Sequence, residues 1–138
     1  MGETKHTKRY VKKETIMIWF VCASLLSALW CVVHLVMGGK EIATPLRQST
    51  ELSRNVRDTQ YLCWHFTSCG IAIMAASFAA AVWQNNAVLA WPATALAASF
   101  AITGIGLVAY IGQSHLRLPQ GWLFVPVTVL GVIGIAAT

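Results

Sequence analysis

The sequence predicts an all-α fold: an integral membrane four-helix antiparallel bundle with a short amphipathic helix in its first loop. Three observations carry that expectation. First, 57% of the 138 residues are hydrophobic and only 11% are charged, more apolar surface than a soluble domain of this length can bury. Second, the charges are confined to residues 3–14, residues 40–58 and Arg117, the segregation expected of membrane spans and their loops. Third, four apolar runs, residues 16–37, 61–83, 87–111 and 119–137, each approach the roughly 20 helical residues that a hydrocarbon core demands. Helix is the expected spanning form, because period-2 alternation is absent and unpaired backbone is not tolerated in lipid.

The chain divides into a basic tail, residues 1–15, and a four-span domain, residues 16–138. In the tail, Lys5, Lys8, Arg9, Lys12 and Lys13 supply most of the formal net charge of +5. Nucleic acid attracts such blocks, but membrane topology explains one placed directly before an apolar run more simply, so no nucleic-acid partner is expected. Contact with anionic lipid or an acidic partner loop is the role left to these five cations. The first run is longer than a signal-peptide core and ends in Gly38-Gly39 without a small-x-small cleavage site, which makes it a span rather than a cleaved leader.

Residues 38–60 form the one loop long enough for structure of its own. Thr44-Pro45 reads as an N-cap followed by proline at the first helical position, with Leu46, Leu52 and Val56 lining one side of a short surface helix. Glu41, Arg47, Glu51, Arg54, Arg57 and Asp58 mix signs, as a solvated face does, and Asp58 or Thr59 is placed to cap the second span. Gln84-Asn85-Asn86 is a tight polar turn that makes spans two and three antiparallel neighbours, and residues 112–118 do the same for spans three and four. Trp19, Trp83 and Trp91 fall at one boundary, and Tyr61, Trp64, Tyr110 and Trp122 at the other, as aromatic belts do. Lys and Arg counts on the two sides tie. The cluster of five cations beside the first span favours a cytoplasmic N-terminus and, with an even number of crossings, a cytoplasmic C-terminus.

Membrane helices associate through close packing and interhelical hydrogen bonds, so small residues should mark the contacts. The candidates are Ala72, Ala76 and Ala80 with Ala75 and Ala79 beside them; Ala93, Ala97 and Ala101 with Ala90, Thr94, Ala98 and Gly104; and Gly131 with Gly134. Spans one and two also carry polar stripes. Ser24, Ser27, Cys31 and His34 share one face of the first, and Tyr61, His65, Ser68 and Cys69 one face of the second, while Cys63 and Trp64 are expected to point toward the headgroups. The expected interhelical polar cluster is thus Ser27, Cys31, His34, Tyr61, His65, Ser68 and Cys69. At about 1.5 Å per residue, His34 and His65 both lie roughly 6 Å inside the same boundary.

Two readings of that cluster compete. Neutral imidazoles could fix the register of the two helices by hydrogen bonding. Alternatively, His34 and His65 could be axial ligands of a haem or a (bacterio)chlorophyll, although Trp30 and Tyr61, four residues before each, would crowd a macrocycle. Cys31, His34, Cys63 and His65 are suitable ligand types for copper or zinc, but Cys63 and His65 are about 200° apart on a helix, so no metal is expected. No disulfide is expected either, since Cys22 and Cys63 belong to opposite boundaries and Cys31 lies deeper than Cys63. The spans hold no carboxylate for proton or ion movement, and the chain has no Gly-x-Ser-x-Gly, His-Glu-x-x-His or glycine-rich phosphate loop. No catalytic residue is assigned, and no enzyme is expected.

Gly38-Gly39-Lys40-Glu41-Ile42, then Pro45-Leu46, then Tyr61-x-Cys63-Trp64-His65 together resemble a pattern in small uncharacterised bacterial inner-membrane proteins of four spans. The likeness covers mainly residues 34–80. It implies a multi-pass protein of the bacterial inner membrane and carries over no catalytic role; the basic tail departs from it. With almost no soluble mass and few polar groups, such a chain is expected to offer surface to lipids and to other integral membrane proteins, as an accessory, scaffold or assembly subunit of a larger complex without a cofactor. The haem- or pigment-binding subunit is the alternative.

Overall fold

The computed structural model describes the chain from Glu3 to Thr138, with side-chain surroundings from Met17 onward; the tail cations Lys5, Lys8, Arg9, Lys12 and Lys13 lie outside the residues whose side chains are described. The fold is all-helical. Four long helices, α1 (Glu3–Val33), α3 (Arg54–Trp83), α4 (Ala90–Tyr110) and α5 (Gln120–Ala136), are joined by a π-helical segment (His34–Ala43), a five-residue helix α2 (Thr44–Gln48) and a 3₁₀ turn (Ala87–Leu89). Among the described residues there is no strand.

The long helices close into a ring: α1 packs on α3 and α5, and α4 packs on the same two. Polar contacts fix the α1–α3 direction. Ser24 and Cys31 on α1 and His34 at the start of the π-helical segment reach the backbone carbonyls of Ala75, Ser68 and Trp64 on α3, so one index falls as the other rises and the helices are antiparallel. Likewise Gly104 meets Gly121, and Thr94 meets Gly131, between antiparallel α4 and α5.

Side-chain size sets these crossings. A Cβ on Gly121 would stand 2.5 Å from the Ile105 backbone nitrogen, and one on Gly104 would stand 2.7 Å from the Gly121 Cα, so here backbone rests on backbone. Gly131 receives the Thr94 side chain and Gly134 receives the ring of Phe20. Phe20 is fully buried and stacks on Phe78 at 6.3 Å between centroids. Ala90, Ala93, Ala97 and Ala101 bury the inner face of α4, as the small-residue pattern predicts, with Ile71, Met74, Phe124 and Val127 completing the core. The alanines of α3 differ from expectation, because Ala72, Ala76 and Ala79 face outward.

Three helical stretches, Met17–Gln48, Arg54–Trp83 and Ala87–Tyr110, are long and apolar enough to cross a membrane. The fourth expected span is apolar but shorter: α5 has 17 residues, about 26 Å of helix against a hydrocarbon core of about 30 Å.

The first loop also departs from expectation. Gly38-Gly39 does not end the first helix; the chain runs helically through to Gln48. Thr44 is no N-cap, since its backbone N–H and its hydroxyl both donate to the Gly39 carbonyl five residues back, the hydroxyl at 2.9 Å. Pro45 accounts for the widened turn: it has no N–H to donate, and its ring excludes the carbonyl four residues back. The predicted separate amphipathic helix is therefore a continuation of the first. α3 in turn begins at Arg54, ahead of the expected cap at Asp58 or Thr59. Ser53 caps it by accepting from the Val56 N–H at 3.5 Å, while Asp58 lies 3.6 Å from Arg54 and 3.8 Å from Arg57.

Candidate functional site

The seam between α1 and α3, and the end of it where the π-helical segment leans over α3, bring together most of the chemistry-bearing side chains of the described residues. Antiparallel pairing places His34 opposite Trp64. Their rings stack, with centroids 4.6 Å apart and planes 18° apart, and with its proton on Nε2 His34 donates to the Trp64 carbonyl across 3.4 Å. Gly38 passes beneath the same indole, where a Cβ would stand 3.8 Å from it. Trp64, expected to point away from the first helix toward the headgroups, instead packs against the π-helical segment that continues it.

The Trp64 carbonyl is shared, because buried Ser68 also donates to it at 3.1 Å within its own helix. One turn deeper, the Cys31 thiol lies 3.9 Å from the Ser68 carbonyl. Ser27 is fully buried, but its hydroxyl donates to Ala23 of its own helix at 2.7 Å. Of the described α1 hydroxyls only Ser24 crosses the seam, donating to the Ala75 carbonyl at 3.0 Å. Hydroxyls that bond four residues back satisfy themselves without a second helix, and Thr94 and Thr128 do the same on α4 and α5.

His65, Tyr61 and Cys69 lie one step round α3. His65 is exposed and meets the half-buried Tyr61 edge-on at 4.5 Å and Trp64 edge-on at 5.1 Å. Cys69 is exposed and free, as are Cys22 and Cys63, and Cys31 is half-buried and free. The residues named by the sequence therefore separate into an inner set, Ser27, Cys31, His34 and Ser68, and an outer set, Tyr61, His65 and Cys69, with Trp64 between the imidazoles. Among the described residues no three His, Cys, Asp or Glu side chains converge to hold a metal ion.

Beside the outer set lies an open cleft of about 460 Å³. Leu35, Val36 and Trp64 form its apolar part, and Lys40, Arg47, Tyr61 and His65 its polar part. The Arg47 guanidinium sits over the Tyr61 ring, 4.7 Å from its centroid, a cation–π contact that holds the cation at the rim. Sequence reasoning passed over this cleft, because Arg47 reads as one charge of a mixed-sign loop until the helix is known to continue past Gly39. Trp64 was the available signal: four residues before Ser68, it shares a face with the most buried hydroxyl of α3. Comparison with protein-family models, with curated proteins and with solved structures finds no match.

Proposed function

We propose that the chain is an integral protein of the bacterial inner membrane. It crosses four times as an antiparallel bundle with both termini in the cytoplasm, and it serves as an accessory, scaffold or assembly subunit of a larger membrane complex. The observation that carries this reading is the outward face of α3. There Phe66 and Ile73 are 64% and 62% exposed and run along one side of the exposed small residues Cys69, Ala72, Ala76 and Ala79. A smooth ridge of small residues beside large apolar ones suits close approach by another helix in lipid, where packing rather than water exclusion drives association.

The distribution of polarity supports the membrane part. Ser27, Ser68 and Thr94 are buried, whereas Leu25, Leu29, Val32, Ile102 and Val132, all within the long helices, are exposed. A soluble bundle would not leave so many large apolar side chains on its surface. The shortness of α5 is no obstacle, since local bilayer thinning accommodates a few ångströms of mismatch at modest cost.

The test places a photo-crosslinking residue at Ile73 and isolates the protein, expressed at native level, in several mild detergents. A discrete crosslinked membrane partner is expected, lost when Ala72→Trp and Ala76→Trp fill the ridge. Recovery of the monomer alone from every detergent would sink the accessory-subunit reading, and reporter fusions that place the two ends on opposite sides would sink the four-span topology. Absorption spectra of the same preparations address the cofactor alternative: a Soret or bacteriochlorophyll band abolished by His34→Ala or His65→Ala would replace the scaffold with a redox or pigment subunit. That His34 is already stacked on Trp64 weighs against it as an axial ligand.

A further inference from the structure

We infer that the cleft between the π-helical segment and the start of α3 is a binding site for one anionic phospholipid, its headgroup phosphate held by Lys40 and Arg47 and an acyl chain laid along Leu35, Val36 and Trp64. The inference rests on the membrane reading above, because it places the cleft at headgroup depth.

The geometry divides the cleft as an amphiphile is divided. Its apolar part continues into the exposed faces of the first and third helices, where Val32 and Leu62 are also exposed. Its polar part ends at Arg47, which is at the same time a wall of a second recess lined by Arg54, Arg57 and Asp58. That recess holds three guanidinium groups against one carboxylate. Asp58 sits between Arg54 and Arg57, and Arg57 also donates to the Ser49 carbonyl at 3.0 Å, which leaves Arg47 and Lys40 as cations with no carboxylate within salt-bridge distance among the described residues. The lining of the apolar cleft includes no acidic residue. A guanidinium held over a tyrosine ring keeps its N–H edges free for the bidentate contacts that phosphate accepts.

The π-helical turn is what builds this wall. Widened to about 4.4 residues per turn, it aligns Leu35, Gly39 or Lys40, Thr44 and Gln48 at steps of four to five along one face. Gly39 adds no bulk, and nothing lies within 4 Å of where its Cβ would be. The same positions on a 3.6-residue helix would spiral away from α3. An apolar peptide would leave the two cations without counter-charge, and a free anion would leave the apolar half unused; a phospholipid fills both.

The experiment uses the full chain in a mild non-ionic detergent. It titrates phosphatidylglycerol, phosphatidylcholine of the same acyl chains and inorganic phosphate in separate arms, with bound species counted by native mass spectrometry. One phosphatidylglycerol is expected to bind in preference to phosphatidylcholine, with Arg47→Gln weakening it about fivefold and Lys40→Gln by a similar factor, while phosphatidylcholine binding stays unchanged. Equal retention of the two lipids by the unmodified protein would overturn the site. So would an Arg47→Gln variant of native helicity that binds phosphatidylglycerol as before, or displacement of the lipid by equimolar phosphate. Should Arg47→Gln misfold, exposed Lys40→Gln decides alone. Failure of the membrane reading looks different: the protein would then stay monodisperse without detergent, whatever lipid it retained.

Discussion

Replacing Gly121 by alanine should separate α4 from α5, and replacing Gly106, two residues from the same crossing, should not. An alanine Cβ at Gly121 would lie 2.5 Å from the Ile105 nitrogen and 2.8 Å from the Gly104 carbonyl carbon, both backbone atoms that no rotamer change can move. Ordinary contact begins near 3.4 Å, so the helices must part by about 0.9 Å, and a gap of 0.5–1 Å forfeits roughly a quarter to a half of each dispersion well it opens. Overpacking of this kind costs about 1–3 kcal/mol. Gly106 has nothing within 4 Å of its would-be Cβ, so alanine there meets no neighbour, and the helix-propensity gain over glycine is at most about 1 kcal/mol. Equilibrium unfolding by titrating SDS into mild-detergent micelles, followed by tryptophan fluorescence, measures both variants against the parent. Gly121→Ala should lose about 1–3 kcal/mol and Gly106→Ala should lose nothing. Equal stabilities of the two variants would refute the backbone-contact account of the α4–α5 crossing.

Gly134→Ala should destabilise by pushing the Phe20 ring from its seat, and Phe20→Leu should recover part of that loss in the double variant, a positive coupling measurable in the same titration; strict additivity would place the two residues in separate sites. Ser24→Ala removes the one hydroxyl bond that crosses the α1–α3 seam among the described residues and should cost about 0.6 kcal/mol, the average for such bonds in bilayers, so a loss above about 2 kcal/mol would mean that the seam depends on it far more than its geometry implies. Trp64→Ala loses the His34 stack and should cost about 0.5–1.5 kcal/mol beyond the loss of buried area. His34→Ala and Trp64→Ala combined should cost less than the sum of the two, and an additive result would count against the stack.

The helical architecture is legible because each turn carries its own chemistry. Asn85 adopts a positive φ of 51°, Asn86 accepts from the Val88 N–H at 3.1 Å, and Gly112 ends α4 with φ of 68°; these are the residue types that tolerate such geometry at little cost. The alanine ridge of α4 is legible for a similar reason, since a run of small residues flanked by large ones has one sensible inner face. The first loop was not. Gly38-Gly39 looks like a helix stop, yet the helix continues, with Gly38 packed beneath the indole of Trp64, distant in sequence. The alanines of α3 misled in the opposite way: spacing identifies a face that admits close approach but does not say whether the approaching helix belongs to this chain. The polar stripe of α3 was too coarse by one helical step, about 100°, which is the angle between Trp64 and His65 and hence between a ring facing the π-helical segment and a ring facing outward.

That single step changes what the polar groups can be for. Had His34 and His65 faced each other, the α1–α3 seam would be a place where two titratable rings meet and where a cofactor could be gripped from both sides. With Trp64 between them, His34 is fixed against a neutral partner, and the buried hydroxyls of Ser27, Ser68 and Thr94 are satisfied by their own helices. Register where α5 packs on α1 and α4 then comes from shape: Phe20 in the gap left by Gly134, Thr94 against Gly131, backbone on backbone at Gly104 and Gly121. A bundle specified by shape on its inside has its unmatched chemistry on its outside, at the α3 ridge and at the Arg47 cleft. Substitutions there should leave stability within about 0.5 kcal/mol, as surface changes generally do, and alter only what the protein retains from the membrane. If Ala76→Trp instead unfolded the bundle, Ala76 would belong to its packing, and the α3 ridge would not be free to bind.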